Sequence, residues 1–273
     1  GIDVAALSDA EFGALYRLWL QHCLLVIRDQ DLTPQSLVAF SARFGPLEPP
    51  PGSEKGSRDE EGAAQAREMW IISNVVENGR PIGALGAGEA SWHTDMSYLE
   101  VPPTASVLYG HEVPAIGGNT WFANMDAALA AMPAELRRRI DGLRTNHDSS
   151  YTSAGELRKG MAEVRDVTQA PGAAHPVIRR HDETGREALY LGRRLNAYLL
   201  GLPVAESEAL LDALWAWCTR PEFLYEHRWC RGDLLIWDNR STIHRRDAFD
   251  QKARRVMWRC QVQGRPGSAV AAD

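Results

Sequence analysis

Cysteine is scarce in this sequence, and its four residues are widely spaced. Cys23, Cys218, Cys230 and Cys260 are the only ones among 273 residues, and no two of them form a C-x-x-C pair. A chain of this length can be stable without disulfides, and zinc sites use closely spaced cysteines. We therefore expect free thiols and a cytoplasmic location, and neither a disulfide framework nor a cysteine-ligated zinc ion.

The sequence also lacks an excess of positive charge and any long apolar run. Lys and Arg total 30 against 36 for Asp and Glu, so the net charge is −6. Surfaces that bind nucleic acids or anionic membranes are usually basic. No apolar run reaches the roughly 18 residues of a membrane-spanning helix, and the stretch Gly1–Val4 does not resemble a secretory signal. We expect no nucleic-acid partner and no membrane partner, but a homo-oligomer with a small-molecule substrate.

The first part of the chain predicts two helices around a short strand. Ser8 with Glu11 forms a capping box, and Thr33 before Pro34 is a typical helix start. The apolar run Leu24–Ile27 between them suits a buried strand. Residues 49–67 are rich in proline, glycine and charge, which predicts a long lid loop.

From Glu68 onward, short runs of β-type residues alternate with turns, and only two helices are predicted, over 126–141 and 204–218. There is no β-α-β alternation, and Arg231-Gly232-Asp233 is interpreted as a hairpin turn between two of the predicted strands. The pattern favours one domain over residues 1–273, mainly β in the α+β class, with a sandwich or jelly-roll core and flanking helices. The predicted strands are 69–73, 104–109, 119–122, 177–180, 188–191, 225–229, 233–237 and 255–263.

Two histidines and one aspartate are candidate metal ligands. On a strand, the side chains of His93 and Asp95 would point to the same face and could bind one metal ion. That motif alone is weak because H-x-D is common by chance. His244, after a predicted strand and a polar turn, can supply a third ligand. Two histidines and one carboxylate leave coordination positions open, as Fe(II) oxygenases require.

Three further motifs accompany the candidate ligands in His93-Thr94-Asp95 and His244, namely Gly117-Gly118-Asn119-Thr120, Trp237-Asp238-Asn239-Arg240 and Arg255. With these five motifs the sequence resembles the taurine dioxygenase / 2,4-dichlorophenoxyacetate dioxygenase family of Fe(II)/2-oxoglutarate-dependent dioxygenases. The resemblance covers nearly the whole chain, and five motifs occur in the family's order with matching offsets. It also leads us to expect a further strand before Gly1.

The resemblance implies a double-stranded β-helix (jelly roll) and a set of site residues. Fe(II) would be bound by His93, Asp95 and His244, while 2-oxoglutarate and O₂ would be cosubstrates. Thr120 and Arg255 would bind the distal carboxylate of 2-oxoglutarate, since a guanidinium suits a carboxylate bidentately. Arg259 would contact an anionic group of the substrate.

Alternatives remain open for the class of substrate and for whether the protein is an enzyme. The stretch 149–158 and the stretch 227–233 are closer to the aryloxyalkanoate branch of the family, which favours a carboxylate substrate. A sulfonate or sulfate ester is the alternative. A metal-binding jelly-roll protein without catalysis is a further alternative, although it needs neither Thr120 nor Arg255. A zinc hydrolase is disfavoured because the chain has no H-E-x-x-H motif.

Overall fold

The computed structural model describes residues 1–49, 68–85 and 90–265. The predicted lid loop at 49–67 lies outside the described residues, apart from its first position. Five α-helices are present where the structure describes the chain, and Ser8 and Thr33 cap the first two, as predicted, both of them in capping boxes. The helices are α1 (Asp9–His22), α2 (Pro34–Ala42), α3 (Met125–Ala130), α4 (Ala134–Ile140) and α5 (Val204–Cys218).

Short strands make up most of the remaining regular structure, and all eight strands predicted after Glu68 have a counterpart. In chain order the strands are β1 (Leu24–Ile27), β2 (Trp70–Ser73), β3 (Val76–Glu77), β4 (Arg80–Pro81), β5 (Ala84–Leu85), β6 (Ala90–His93), β7 (Ala105–Glu112), β8 (Thr120–Asn124), β9 (Arg144–Asp148), β10 (Gly172–Pro176), β11 (Ile178–Arg180), β12 (Glu187–Leu189), β13 (Tyr198–Leu199), β14 (Leu224–His227), β15 (Leu234–Asp238), β16 (Thr242–Arg246) and β17 (Val256–Val262).

Two of the sheets form the core. The larger sheet has the strand order β1-β15-β7-β17-β2-β5, and the smaller has the order β14-β8-β16-β6. Apart from β2 with β5, all of their neighbouring strands run antiparallel. A buried cluster contains Leu108, Trp237 and Met257 from the larger sheet and Phe122 from the smaller one. The two sheets therefore pack face to face, and the predicted jelly-roll core is confirmed.

Helices cover both sides of this core. Leu15 and Trp19 of α1 and Leu37 and Phe40 of α2 are buried together with residues of the larger sheet. The helices α3 and α5 belong to a second apolar cluster with residues of β8 and β16. All four cysteines are free, as expected. Within the described ranges, no helix has both the length and the apolar character to cross a membrane.

Two local predictions are wrong. The single helix expected over residues 126–141 is two helices, α3 and α4, which are separated at Pro133. Proline lacks the amide hydrogen that a continuous helix requires and clashes with the preceding turn. The turn at Arg231–Asp233 does not close a hairpin, because β14 before it and β15 after it belong to different sheets.

The turn between β15 and β16 is braced by a buried ionic network around Arg240. The carboxylate of Asp238 accepts hydrogen bonds from Nε and Nη2 of Arg240 at 2.8 and 2.7 Å and pairs with His181 at 2.9 Å. Nη1 of Arg240 donates to Asp182 and to Glu183 at 2.7 and 2.8 Å. This network fixes the turn that leads into the strand of His244.

We expect Arg240→Ala to destabilise the fold strongly, because it leaves the Asp238 carboxylate buried without its main counter-charge. Removing one partner of a buried ion pair costs about 3–5 kcal/mol, which urea-induced unfolding at neutral pH would measure. The control is Arg138→Ala on α4, whose pair with Glu135 is largely exposed and contributes little. Equal unfolding midpoints for the two variants would contradict this role of Arg240.

Candidate active site

His93 and His244 are brought together by strand pairing. His93 is the last residue of β6, His244 is the third residue of β16, and the two face each other in the antiparallel register of the smaller sheet. Side chains of directly paired residues lie on the same face of a sheet. Their imidazole ring centroids are accordingly 4.2 Å apart.

Asp95 reaches the same place by a different route from the one predicted. The strand ends at His93, and Asp95 lies in the turn that follows, next to Met96 with its φ of 47°. The alternation of side chains along a strand therefore does not explain this H-x-D motif. The turn directs the carboxylate back toward the imidazoles, so that Oδ1 of Asp95 lies 3.6 Å from Nε2 of His93 and 3.6 Å from Nε2 of His244.

These three side chains could hold a metal ion. All are buried, and one potential ligand atom from each lies within 4.8 Å of the others. Nδ1 of His93 lies 2.7 Å from the carbonyl oxygen of Ser91. A carbonyl only accepts, so Nδ1 carries the hydrogen and Nε2 presents its lone pair to the centre of the cluster. The donor set of two nitrogens and one carboxylate oxygen fits the facial triad of non-haem Fe(II) sites.

The ionisation states also suit a metal centre. Burial lowers the pKa of His244 to about 3, although the neighbouring Asp95 raises it. Burial alone would raise the pKa of Asp95, but Arg259 and the two histidines lower it well below its usual range. A neutral imidazole and an ionised carboxylate are the forms that bind metals.

The second oxygen of Asp95 is held by residues of the opposite sheet. Ser106 on β7 donates a hydrogen bond to Oδ2 at 2.7 Å, and Arg259 on β17 forms an ion pair with the same oxygen. Asn239 in turn donates to Ser106 at 3.1 Å and accepts from Trp237 at 2.9 Å. The Trp-Asp-Asn-Arg motif thus supports the candidate metal ligand through Ser106, in addition to bracing the turn.

Arg259 lies against the candidate metal ligand and between two tryptophans. Its side chain is buried, and the guanidinium carbon lies 5.5 Å from the ring centroid of Trp70 and 5.9 Å from that of Trp237. Its Nε is buried and has no hydrogen-bond partner. Arg259 is therefore near the place predicted for a substrate, but part of its hydrogen-bonding capacity is used by Asp95.

Thr120 begins β8 and is oriented by a tryptophan. Its hydroxyl oxygen accepts a hydrogen bond from Nε1 of Trp229 at 2.9 Å. Because the indole N–H only donates, the hydroxyl hydrogen of Thr120 stays available for another acceptor. Thr120 pairs with Arg246 in the register of β8 with β16, which places both side chains on one face of the smaller sheet.

Arg255 is a buried cation without an ion-pair partner among the described residues. Its Nε has no hydrogen-bond partner, and its backbone N–H donates to Asn74 at 3.0 Å. Burial, together with the smaller effect of the nearby Arg246, lowers the pKa of Arg255 to about 9. The side chain is still charged at neutral pH, and a buried unpaired charge is unfavourable. The site therefore suits an anionic ligand.

Gly118, two residues before Thr120, lies directly against this arginine. Gly118 has a φ of 66°, and a Cβ atom there would lie 3.4 Å from Nε of Arg255 and 3.4 Å from the ring of Phe249. The guanidinium carbons of Arg255 and Arg246 each lie 5.7 Å from the centroid of that ring. Arg255 itself lies just before β17, whose pairing shifts by a residue at Val256.

The structure thus brings His93, Asp95 and His244 into one cluster with Arg259, and places Thr120 on the same sheet face as Arg246, a close neighbour of Arg255. Sequence reasoning missed Ser106, Trp229 and Arg246. Ser106 is a small polar residue within an apolar strand, and Trp229 belongs to the stretch 227–233 that resembles the family. Both could therefore have been proposed as site residues from the sequence. Arg246 lies two residues after His244 and so shares its strand face, and this placement could also have been predicted from the sequence.

Comparisons with known proteins agree with this geometry. A sequence model of the "Taurine catabolism dioxygenase TauD, TfdA family" matches residues 1–261. An (S)-phenoxypropionate/alpha-ketoglutarate-dioxygenase from Sphingobium herbicidovorans is 34% identical over 288 residues, which cover 99% of this chain and 92% of the relative. An alpha-ketoglutarate-dependent 2,4-dichlorophenoxyacetate dioxygenase from Cupriavidus pinatubonensis is 34% identical over 263 residues, with coverages of 93% and 89%.

Solved structures are also similar over nearly the whole chain. The crystal structure of AAD-2 in complex with Mn(II) and N-oxalylglycine superimposes with a TM-score of 0.77 at 30% sequence identity. The alignment covers 97% of this chain and 92% of that chain. The similarity therefore includes both core sheets and the strands that carry the candidate site.

Proposed function

Since the chain belongs to the taurine catabolism dioxygenase TauD, TfdA family, we propose that it is an Fe(II)- and 2-oxoglutarate-dependent dioxygenase that hydroxylates a small anionic organic substrate. Succinate and CO₂ are the products of the cosubstrate. The observation that carries the proposal is the buried cluster of His93, Asp95 and His244. The isolated charge of Arg255 supports it, because a protein that only binds metal has no use for such a group.

His93, Asp95 and His244 would hold the metal, and Fe(II) is proposed because two imidazoles and one carboxylate leave coordination positions open. Bound there with O₂ and 2-oxoglutarate, Fe(II) supplies the oxidising chemistry that inserts oxygen into a substrate C–H bond. Ser106 and Arg259 keep the second oxygen of Asp95 occupied. They thereby leave Oδ1 directed at the two imidazoles.

Arg255 and Thr120 would bind the distal carboxylate of 2-oxoglutarate. The guanidinium offers a fork of donors that matches a carboxylate, and the hydroxyl hydrogen of Thr120 adds a third donor. Trp229 fixes the direction of that hydroxyl by donating to its oxygen. Because these groups are buried, a carboxylate there would be stripped of water and held strongly.

An aryloxyalkanoate-like carboxylate is the favoured substrate. The two relatives described above are named for phenoxypropionate and 2,4-dichlorophenoxyacetate, and each aligns over most of its length. Arg259, next to Asp95, is proposed to contact the anionic group of the substrate. A sulfonate or sulfate ester remains the alternative, because a guanidinium accepts those anions as well as a carboxylate.

A cytoplasmic location and a homo-oligomeric state also stay predictions. The four free thiols support the location, since disulfides are rare in the reducing cytoplasm. Light scattering on the purified protein would measure the oligomeric state.

Anaerobic titration of the protein with Fe(II) and 2-oxoglutarate tests the proposal directly. Chelation of iron by the keto acid gives a weak visible charge-transfer absorption, and we expect it with the wild-type protein. A panel of aryloxyalkanoates, sulfonates and sulfate esters, scored by succinate formation in air, would then identify the substrate class. Absence of the absorption band, or a band without any succinate from the panel, would count against a dioxygenase of anionic substrates.

A further inference from the structure

A second buried arginine lies beside the candidate metal centre, next to His93. Arg193 forms an antiparallel backbone bridge with His93, and the amide of Thr94 donates to the carbonyl of Gly192. Arg193 therefore continues the smaller sheet beyond β6. The residue is 9% exposed, and its Nε is buried without a hydrogen-bond partner.

Arg193 shares an acceptor with another arginine. Nη1 of Arg193 donates to the carbonyl oxygen of Tyr151 at 2.6 Å and to that of Thr152 at 3.0 Å. Nε of Arg158 donates to the same oxygen of Tyr151 at 3.1 Å. Nη1 of Arg193 and Nε of Arg158 can therefore be no farther apart than the sum of their two distances to the carbonyl oxygen of Tyr151. Two guanidinium groups are therefore held close together, and the ring of Tyr98 lies 4.5 Å from the guanidinium carbon of Arg158.

The charge of this arginine pair is not compensated locally. Neither Arg193 nor Arg158 forms an ion pair with a carboxylate in the described parts of the chain. Burial lowers the pKa of Arg193, and Arg158 lowers it further, against smaller opposite effects of Asp148 and Asp95. Asp148 already accepts hydrogen bonds from Ser150 and Asn196, and Asp95 is paired with Arg259. Two like charges near one carbonyl repel each other, and an anion between them would remove that repulsion.

We infer that Arg193 and Arg158 form a second anion-binding subsite beside the metal triad, and that the substrate carries an anionic group that occupies it. This inference rests on the proposed function for the identity of the reaction. The ligand chemistry is a carboxylate, sulfonate or sulfate-type group, since a pair of guanidinium forks binds any of these. The ring of Tyr98 lies alongside and offers an apolar surface to the organic part of the substrate.

The subsite adds a requirement on the shape of the substrate. Arg259 contacts Asp95 from the larger sheet, whereas Arg193 is joined to His93 at the edge of the smaller sheet. An anionic group at Arg193 and Arg158 therefore approaches the metal centre from the His93 side. A substrate with a single anionic group can place it at only one of the two positions, so anchoring at Arg193 and Arg158 would turn other C–H bonds toward the metal than anchoring at Arg259.

Sulfate is a suitable probe because it needs no knowledge of the substrate. Calorimetric titration with sulfate would be done anaerobically on the protein loaded with Fe(II) and saturating 2-oxoglutarate, so that the cosubstrate covers Arg255. We expect the wild-type protein to bind sulfate and Arg158→Gln to bind it about ten- to hundredfold more weakly, which corresponds to one lost hydrogen bond between charged groups. Arg180→Gln, at an exposed arginine that ends β11, is the control of equal charge change and should bind like the wild type.

Arg193→Gln should weaken sulfate binding at least as much, but it also removes contacts to two carbonyls and can affect folding. Arg158→Gln removes only one such contact, so it keeps the test valid. Sulfate binding that is absent, or that is the same in Arg158→Gln and in Arg180→Gln, would overturn the subsite.

Inhibition kinetics decide whether the subsite serves the substrate. With a panel compound that gives succinate, sulfate should compete with that compound and not with 2-oxoglutarate, and Arg158→Gln should relieve the inhibition. Sulfate that binds without competing would overturn the substrate role.

If the charge-transfer band never forms, the proposed function fails instead. Sulfate titration without the cosubstrate, comparing Arg158→Gln with Arg255→Gln, still decides the existence of the subsite.

Discussion

Replacing His93 or His244 by alanine is expected to abolish succinate formation while the chain still folds. Each imidazole supplies one of only three protein ligands, and all three are required to hold Fe(II) with open positions. Changes to residues that merely support metal ligands lower metal affinity about 10- to 100-fold, so loss of a ligand itself should exceed this. The strand pairing of β6 with β16 uses backbone groups and does not depend on the imidazoles.

Asp95 should respond differently from the two histidines. Asp95→Ala removes the ligand and also leaves the side chain of Arg259, which is 9% exposed, without its carboxylate. Breaking a buried ion pair costs about 3–5 kcal/mol, so this variant should lose stability as well as activity. Asp95→Asn keeps an acceptor for Ser106 and should be the milder change for the fold, although it too loses the charge that binds the metal.

Bound iron, succinate formation and urea unfolding would be measured on the same preparations. His111→Ala is the control, because His111 stacks on Trp258 at 4.2 Å and does not belong to the metal cluster. We expect it to retain its iron and its activity. A His93 or His244 variant that forms succinate at close to the wild-type rate would rule out the assigned metal centre.

Much of the fold could be predicted because its signals are local. The capping box at Ser8 and the N-cap Thr33 before Pro34 gave the starts of α1 and α2, and the helix predicted over 204–218 has the bounds of α5. Errors arose where tertiary structure overrides local pattern. The turn at Arg231–Asp233 has the composition of a hairpin turn, but the strands on either side join different sheets.

The candidate site was likewise predictable in part from the sequence. Residue types and offsets selected His93, Asp95 and His244, and the structure brings them together. The reason offered for His93 and Asp95 was nevertheless wrong, since a turn and not a strand places the carboxylate. The link from Asn239 through Ser106 to Asp95 joins residues that are far apart in sequence. No periodicity within one segment encodes such contacts, so they required the structure.

Arg255→Ala is expected to weaken 2-oxoglutarate binding severely with any substrate. The residue is buried, charged and without an ion-pair partner in the described chain, so its full charge is available to the distal carboxylate. Losing a buried charge-assisted pair costs on the order of 2–5 kcal/mol, which is a loss of affinity of roughly thirty- to several-thousandfold at 1.4 kcal/mol per decade. The anaerobic titration and the KM for 2-oxoglutarate would both report it.

Arg259 should behave differently, because its guanidinium faces the metal ligand and not the cosubstrate carboxylate. Arg259→Lys keeps a positive charge near Asp95 but loses the planar fork that binds an anion bidentately. We expect its charge-transfer titration with 2-oxoglutarate to stay close to that of the wild type, while the KM for the anionic substrate rises. A poorly anchored substrate presents its C–H bond badly, so succinate formation should also become uncoupled from substrate hydroxylation.

Comparing Arg259→Ala with Arg259→Lys distinguishes the contact of Arg259 with Asp95 from its proposed contact with the substrate. Without any cation beside it, Oδ2 of Asp95 keeps only the hydrogen bond from Ser106, so iron should be held less tightly than in Arg259→Lys. If Arg259 also anchors the substrate, both variants raise the KM for the substrate, and only the alanine variant loses iron. If Arg259→Lys leaves that KM unchanged while Arg259→Ala loses iron, Arg259 only positions Asp95. In that case the anionic group of the substrate is bound elsewhere, and Arg193 with Arg158 is the position that the same kinetics would then test.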